Sequence, residues 1–434
     1  MRLRRLAIAA GLVGVLCVPA HAEDRAHADD RDISRDTLPA NDGWASAGGG
    51  TTGGAAADAD HVHTVKNRAE LVRALDGGSD TPKIIKVAGT IDANTDDDGD
   101  RLDCSDYATG GYSLKKYLAA YDPRTWGAAK PSGPQEEARQ SSAARQAERV
   151  VLPVGSNTTI VGLGDAAVLK GASLQVRNAD NVIIRNLDIR DAYDCFPVWQ
   201  PNTGGLGDWK TAYDTIWLAG ATHVWVDHVT LSDKGHPDAE EPTHFARNYL
   251  RHDGLLDITN GSDLVTVSWS RFADHDKAML IGNGDTATGD RGKLRVTLHH
   301  NQFESVVQRA PRVRFGQVHL YNNRYEITGD DYRYSLGVST ESRIYAENNA
   351  FHAPGHVEVA DLVKSWNGSA LHQSGTLFNG FPVDLLMIYN AYNSGSERDL
   401  TGDVGWTPAL HGRIDSAAAA DRAVARGAGA GRIP

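Results

Sequence analysis

Three arginines fall within the stretch Gln308-Arg309-Ala310-Pro311-Arg312-Val313-Arg314-Phe315. Each guanidinium offers a planar fork of donors, so such a cluster on strand backbone suits a grip on carboxylates or phosphates. Upstream, Asp214 precedes Ile216 and Leu218, Asp253 and Asp257 flank Gly254-Leu255-Leu256, and Lys277 closes the run Asp274-His275-Asp276-Lys277. Three carboxylates beside Lys277, Arg309 and Arg314 suit calcium held by oxygen ligands next to a carboxylate-binding wall. Zinc is not expected, because Cys104 and Cys195 are far along the chain from this group. For any single acid the plain alternative is solvation at a turn, and for the arginines an ion-paired strand face. Asp227 and His228 read as a buried or turn-satisfying pair, and Asp274, His275 and Asp276 stay open between supporting a site and supporting the fold. A Ser-His-Asp nucleophile is unsupported, since no Gly-x-Ser-x-Gly stands where a strand meets a helix.

These residues must be brought together by something, and the chain after Val150 supplies it. Segments of one pattern begin at Val182, Val224, Val265, Val296 and Val318, with a weaker copy at Ile344, at offsets of 42, 41, 31, 22 and 26 residues. Each ends in a large apolar residue, and His228, His300 and Asn322 occupy the fifth place. A short repeat with variable insertions implies stacked strands with loops leaving on one side. The fold expected is all-β, a right-handed parallel β-helix in a single domain. Neighbouring rungs lie roughly 4.8 Å apart, so the offsets of 39 from Asp214 to Asp253, 20 from Asp257 to Lys277 and 32 from Lys277 to Arg309 become short distances in space. Around the arginines, Val313, Phe315, Val318 and Leu320 sit at alternate positions or nearly so, which predicts one continuous strand with Pro311 at its start.

Of the 434 residues, the first 22 carry a basic start (Arg2, Arg4, Arg5), an apolar run from Leu6 to Val18 and a small-residue site at Ala20-His21-Ala22. This is the pattern of a signal peptide cleaved near Ala22, so the protein is expected to be secreted, outside the cell or in a periplasm. Residues 23–46 read as a disordered leader and 47–434 as the folded domain. Within it Asn67–Leu75 is expected to be a capped short helix, Lys83–Ile91 a strand, and 104–147 a helical and looping insert. Loss of the first 22 residues takes the formal charge from −12 to −15, which excludes generic nucleic-acid binding. No later run is long and apolar enough for a membrane span, and a monomer is expected. Cys104 and Cys195 either pair, as exported cysteines do, or remain two unlinked small residues.

From about Gly48 onward the chain resembles the large extracellular pectate lyase family that shares its fold with pectin lyases. The resemblance is carried by VWVDHVTLSD at 224–233, DGLLDITNGSDLVTVSW at 253–269, DHDKAMLIG at 274–282 and HHNQFESVVQRAPRVRFGQVHLYNNRY at 299–325. It implies calcium ligands at Asp214, Asp253 and Asp257, substrate-carboxylate cations at Lys277 and Arg314, and a proton-abstracting arginine at Arg309. Some members carry a further acid where this chain has Ala212, and the 104–147 insert lies outside the resemblance.

The activity so implied is β-elimination in polygalacturonate. The chemistry agrees with the residues: calcium, Lys277 and Arg314 would neutralise a uronate carboxylate, which acidifies the adjacent C5 proton. Arginine normally keeps its proton, so Arg309 as base requires neighbouring positive charge and implies an alkaline optimum. Three other readings compete. A pectin lyase would dispense with calcium, against three aspartates. A polygalacturonase would need a pair of carboxylates flanking the bond. A non-catalytic polygalacturonate-binding coil would not need Lys277 and Arg309.

Overall fold

Val182, Val224, Val265, Val296, Val318 and Ile344 lie side by side in one sheet, each in register with the next. All six are fully buried. Two residues along, Ile184, Val226, Val267, Leu298, Leu320 and Ala346 form a second buried column of the same sheet. The period-two pattern thus places aliphatic side chains inward on every rung, and stacking the rungs makes the core continuous.

The computed structural model describes residues 32–393, 395 and 398–433, and the compact unit described below begins at Ser34. The expected signal peptide and the leader up to residue 31 lie outside the described residues. Three long sheets of ten, eight and ten strands run along the unit, parallel except for the last pair, Leu377–Phe378 with Phe381–Pro382. Each turn of the chain visits them in order, as in Asp263–Ser268, Arg271–Lys277 and Leu280–Ile281. This is a right-handed parallel β-helix.

The fifth place of each repeat is the corner between the first and second sheets. Asn186, His228, Trp269, His300, Asn322 and Asn348 all have left-handed backbone there, with φ between 47° and 56°. Asparagine tolerates that conformation at low cost, and where the residue is cyclic the rings stack, Trp269 on His300 at 4.5 Å. The next position carries a buried ladder in which the amides of Asn301 and Asn323 donate to the side-chain oxygens of Asn323 and Asn349. Asp227 and His228 are a buried pair held by Arg185 and Ser268 at this corner, in the structural role expected of them.

Three boundaries differ from the sequence reading. Residues 34–46 are not a disordered leader. Asp36 pairs with Arg185, Leu38 and Ala45 pack with Trp225, the amides of Ala45 and Trp44 donate to Thr266 and Thr297, and beyond the segment Gly54 returns to Thr159, so the stretch 36–54 straps five successive strands of the first sheet. Its sparse apolar residues, Leu38 and Ala45, bury against Ile183 and Trp225, where outward aromatic and aliphatic groups offer a partner. The expected single strand from Arg312 through Leu320 is two, Arg312–Val313 and Gln317–Tyr321. Phe315 turns the corner with φ 58°, and a Cβ on Gly316 would meet the Leu294 carbonyl at 2.8 Å, so the alternation continued across a bend. Lys83–Ile91 is likewise two strands, Lys83–Val87 and Thr90–Asp92.

Helix Arg68–Leu75 is capped by the Asn67 side chain, which accepts from the Glu70 amide. Residues from 104 form four helices, Cys104–Tyr107, Leu114–Ala120, Pro123–Trp126 and Pro134–Val150, the last running beyond the expected end at 147. They pack on a second excursion, residues 191–215, through Tyr117, Tyr121, Trp199 and Trp209. Cys104 and Cys195 are bonded, with an S–S distance of 2.01 Å, and so tie the insert to this excursion. No helix among the described residues is long and apolar enough to cross a membrane.

Candidate active site

The third sheet presents Leu218, Ile258, Ile281 and Val313 inward on four successive strands. Side chains alternate along a strand, so Asp257, one residue before Ile258, and Arg312 and Arg314, either side of Val313, face outward. Asp214 and Asp253 lie in the loops that enter the first two of these strands. Lys277 ends strand Arg271–Lys277 and pairs in register with Gln308, the residue before Arg309. The junction of the second and third sheets therefore gathers Asp214, Asp253, Asp257, Lys277, Arg309 and Arg314 from one edge of successive rungs. Helix Pro134–Val150 supports Asp214 from behind: Val150 and Ala192 bury against Tyr213, whose hydroxyl donates to the Ala143 carbonyl at 3.4 Å.

Asp214 Oδ1 accepts from the Gly254 amide at 2.7 Å and Asp257 Oδ1 from the Leu280 amide at 2.9 Å. Both oxygens close on Gly254, where a Cβ would lie 2.4 Å from Asp257 Oδ1 and 2.9 Å from Asp214 Oδ1. Burial, then Asp257 and Asp253, pushes the Asp214 carboxyl well above the usual range. Burial and Asp253 push Asp257 up to about 7. Asp253 is half-buried, and against its partial burial Lys277 at 3.2 Å and then Lys210 hold it below the ordinary carboxylate range. Burial works against the Lys277 charge, and Asp253 and Asp276 together outweigh it, so the ammonium is firmly held.

A site built this way suits a hard divalent cation. Its donors are all oxygen, its carboxylates are crowded together at the cost of mutual repulsion, and a Cβ at 254 would press on two of them. Asp214 and Asp257 converge, while Asp253 shares its carboxylate with Lys277.

Arg309 has left-handed backbone, φ 61°, and its buried Nε has no hydrogen-bond partner among the described residues. It interacts electrostatically with Asp253, Asp257 and Lys277. Arg314 donates to Asp285 at 2.6 Å and to the Gly282 carbonyl at 3.2 Å. Arg312 is engaged elsewhere, stacked 4.0 Å over Trp366 and donating to Ser339.

Sequence reasoning passed over several residues here. Gly254 stood in plain view between two aspartates, and the small residue flanked by acids was the signal. Lys210, on the short strand Asp208–Lys210, and Tyr334 beside Arg309 and Asp285 beside Arg314, on loops, have no pattern to announce them. A separate buried group, Asp233, Asp238 and His252, brings one ligand-type atom from each residue within 4.8 Å of the others.

The family model described as pectate lyase matches residues 7–106 and 128–396. The chain belongs to the pectate lyase family. The unmatched gap falls inside the helical insert. The chain is 45% identical over 413 residues to a pectate lyase of Bacillus subtilis (strain 168), covering 94% of this chain and 96% of that protein. Pectate lyase E of Dickeya chrysanthemi is 38% identical over 362 residues, covering 80% of this chain and 78% of the other. Among solved structures, a pectate lyase bound to hexasaccharide superposes with a TM-score of 0.88 at 45% identity, over 93% of this chain and 100% of that one. A thermostable pectate lyase reaches 0.90 at 40% identity with the same coverage. This member of the family is a polysaccharide lyase, and its coil is the fold of its structural relatives.

Proposed function

We propose that the enzyme is a calcium-dependent lyase that cleaves α-1,4-linked polygalacturonate by β-elimination, with Arg309 as the base. The observation that carries this reading is the convergence of three carboxylates, one buried and two half-buried, with Lys277 and an Arg309 Nε that has no hydrogen-bond partner among the described residues, at one junction of the coil. Asp214, Asp253 and Asp257 would hold calcium, which when bound supplies Lewis acidity to the substrate carboxylate. Lys277 would place a second positive charge beside that carboxylate. Arg314 would exchange Asp285 for it, since both are carboxylate partners of a fork. Arg309 takes the C5 proton, the C5–H electrons form the C4–C5 double bond, and the glycosidic oxygen leaves C4 and is protonated by water. The related pectate lyase solved bound to hexasaccharide supports an oligosaccharide substrate. Export is part of the proposal, supported by the basic-then-apolar start of the chain and by a Cys104–Cys195 bond of the kind oxidising compartments maintain.

Steady-state kinetics on polygalacturonate with Arg309→Lys tests it. A base moved back from C5 lowers kcat by about 100- to 10,000-fold with KM little changed. A product that absorbs in the ultraviolet as an unsaturated uronide, and that vanishes with a chelator, supports elimination and the calcium requirement. Wild-type kcat with only KM raised would make Arg309 a clamp and place the base elsewhere.

A further inference from the structure

Behind the calcium-type carboxylates lies a buried cluster that the reaction does not use. His275 is its centre. Its ring sits on strand Arg271–Lys277, with Nδ1 2.6 Å from Asp233 Oδ2 and Nε2 2.8 Å from the main-chain carbonyl of Asp253. The His275 and Asp233 side chains are 1% and 2% exposed. A carboxylate and a carbonyl only accept, so both ring nitrogens donate.

The segment that carries Asp253 is tied to this cluster at each residue. The Arg251 amide donates to Asp238 Oδ1 at 2.9 Å, the His252 ring meets the same oxygen at 2.9 Å, and the Asp253 carbonyl accepts from His275. His252 Nε2 also reaches Asp191, which pairs with His236. Asp233, Asp238 and His252 are thus engaged with hydrogen-bond partners in the cluster, although Asp238 Oδ2 has none. The other side of the same peptide group is fixed as well, because the Gly254 amide donates to Asp214. His275 therefore holds by its carbonyl the very peptide group whose N–H grips a second expected calcium ligand, Asp214.

We propose that His275 is a positioning residue for the calcium site: oriented by Asp233, it donates to the Asp253 carbonyl and so fixes where the Asp253 and Asp214 carboxylates meet the ion. Groups of this kind, hydrogen-bonded behind a metal's own ligands, change metal affinity by about 10- to 100-fold when removed. The inference rests on the reading of Asp214, Asp253 and Asp257 as calcium ligands.

The two nitrogens of His275 can be mimicked one at a time. A glutamine amide nitrogen overlays Nε2 and keeps the donor to Asp253, whereas an asparagine amide nitrogen overlays Nδ1 and keeps only the contact with Asp233. Calcium is titrated calorimetrically into wild type, His275→Gln and His275→Asn, with thermal melts in chelator as the folding check. His275→Gln should keep near-wild-type calcium affinity, while His275→Asn loses about 10- to 100-fold, and its kcat should recover at saturating calcium. Equal affinities in the two variants would overturn the proposal. Should His275→Asn fail to fold, Asp233→Asn, which keeps the shape but weakens the acceptor that orients the ring, is titrated in its place. Weaker calcium binding then supports the proposal and unchanged binding overturns it. Absence of calcium binding in the wild type would instead sink the calcium reading itself, and this inference with it.

Discussion

Gly254→Ala should remove most calcium binding while leaving the fold in place. Gly254 does not have left-handed backbone, so alanine meets no conformational penalty and the added methyl group is the whole perturbation. That Cβ would stand 2.4 Å from Asp257 Oδ1 and 2.9 Å from Asp214 Oδ1, where ordinary contact begins near 3.4 Å. One oxygen must retreat by about 1 Å and the other by about 0.5 Å to restore contact distances. Metal–oxygen geometry tolerates about 0.2 Å, so both ligands leave their working positions. Retreat also strains the hydrogen bonds from the Gly254 and Leu280 amides. Two displaced ligands lower calcium affinity by about 100-fold or more, equivalent to about 3 kcal/mol. Overpacking at a site bordered by flexible carboxylates costs the fold about 1–3 kcal/mol. Calorimetric calcium titration, paired with thermal melts in chelator, separates these effects. Wild-type calcium affinity in Gly254→Ala would show that Asp214 and Asp257 do not bind one ion together, and the proposed site would fall.

Calcium binding should tighten between pH 5 and pH 8, because Asp257, pushed up to about 7, must lose its proton to act as a ligand. Without calcium the stability from this raised carboxyl is full below its ordinary value near 3.8 and is lost as pH rises through about 7. Calcium should thus raise Tm more at pH 8 than at pH 5, and a shift independent of pH would contradict this. Burial and His299 press His300 down to about 3 from 6.5, so its contribution to stability is full above 6.5 and fades as pH falls toward 3. His300→Asn, matched to the left-handed corner, should flatten the acid limb of a Tm–pH profile, and an unchanged limb would refute that assignment. Thiol titration of the unfolded, unreduced mature chain should find no free cysteine. Removing the Cys104–Cys195 bond should cost about 2–4 kcal/mol in denaturant unfolding, and two reactive thiols would count against it.

The rungs were legible because the core repeats one chemical choice. Val182 through Ile344 are the first residues of their segments in sequence, and they are register partners in space. The site was legible for a related reason, since outward neighbours of inward aliphatics, such as Asp257 and Arg314, follow from period two once the strands are placed. Corners were not legible. At Phe315 the chain turns while apolar residues keep alternating, so the pattern gives no sign of the bend. Residues 34–46 looked too polar to fold because their partners are single groups such as Arg185, Thr266 and Thr297, each on a different rung. The Asp233–His275–Asp253 chain joins three positions whose meeting depends on loop paths.

A stack of rungs is close to a one-dimensional array in which each unit touches only its neighbours, and such arrays fray from their ends. The strap alters that arithmetic. By fastening Thr159, Arg185, Thr266 and Thr297 to a single stretch of chain, it couples strands that are not adjacent. Opening any one of these rungs then requires either releasing the strap, and with it the others, or tearing the rung from both it and its neighbours. The middle of the coil becomes one cooperative block, and the four rungs that carry the candidate site share it. The candidate chemistry is therefore mounted on turns that the strap holds together, and the later turns join the same block, since Trp44 of the strap packs on Trp406 and the Ala310 amide donates to the Ser335 carbonyl.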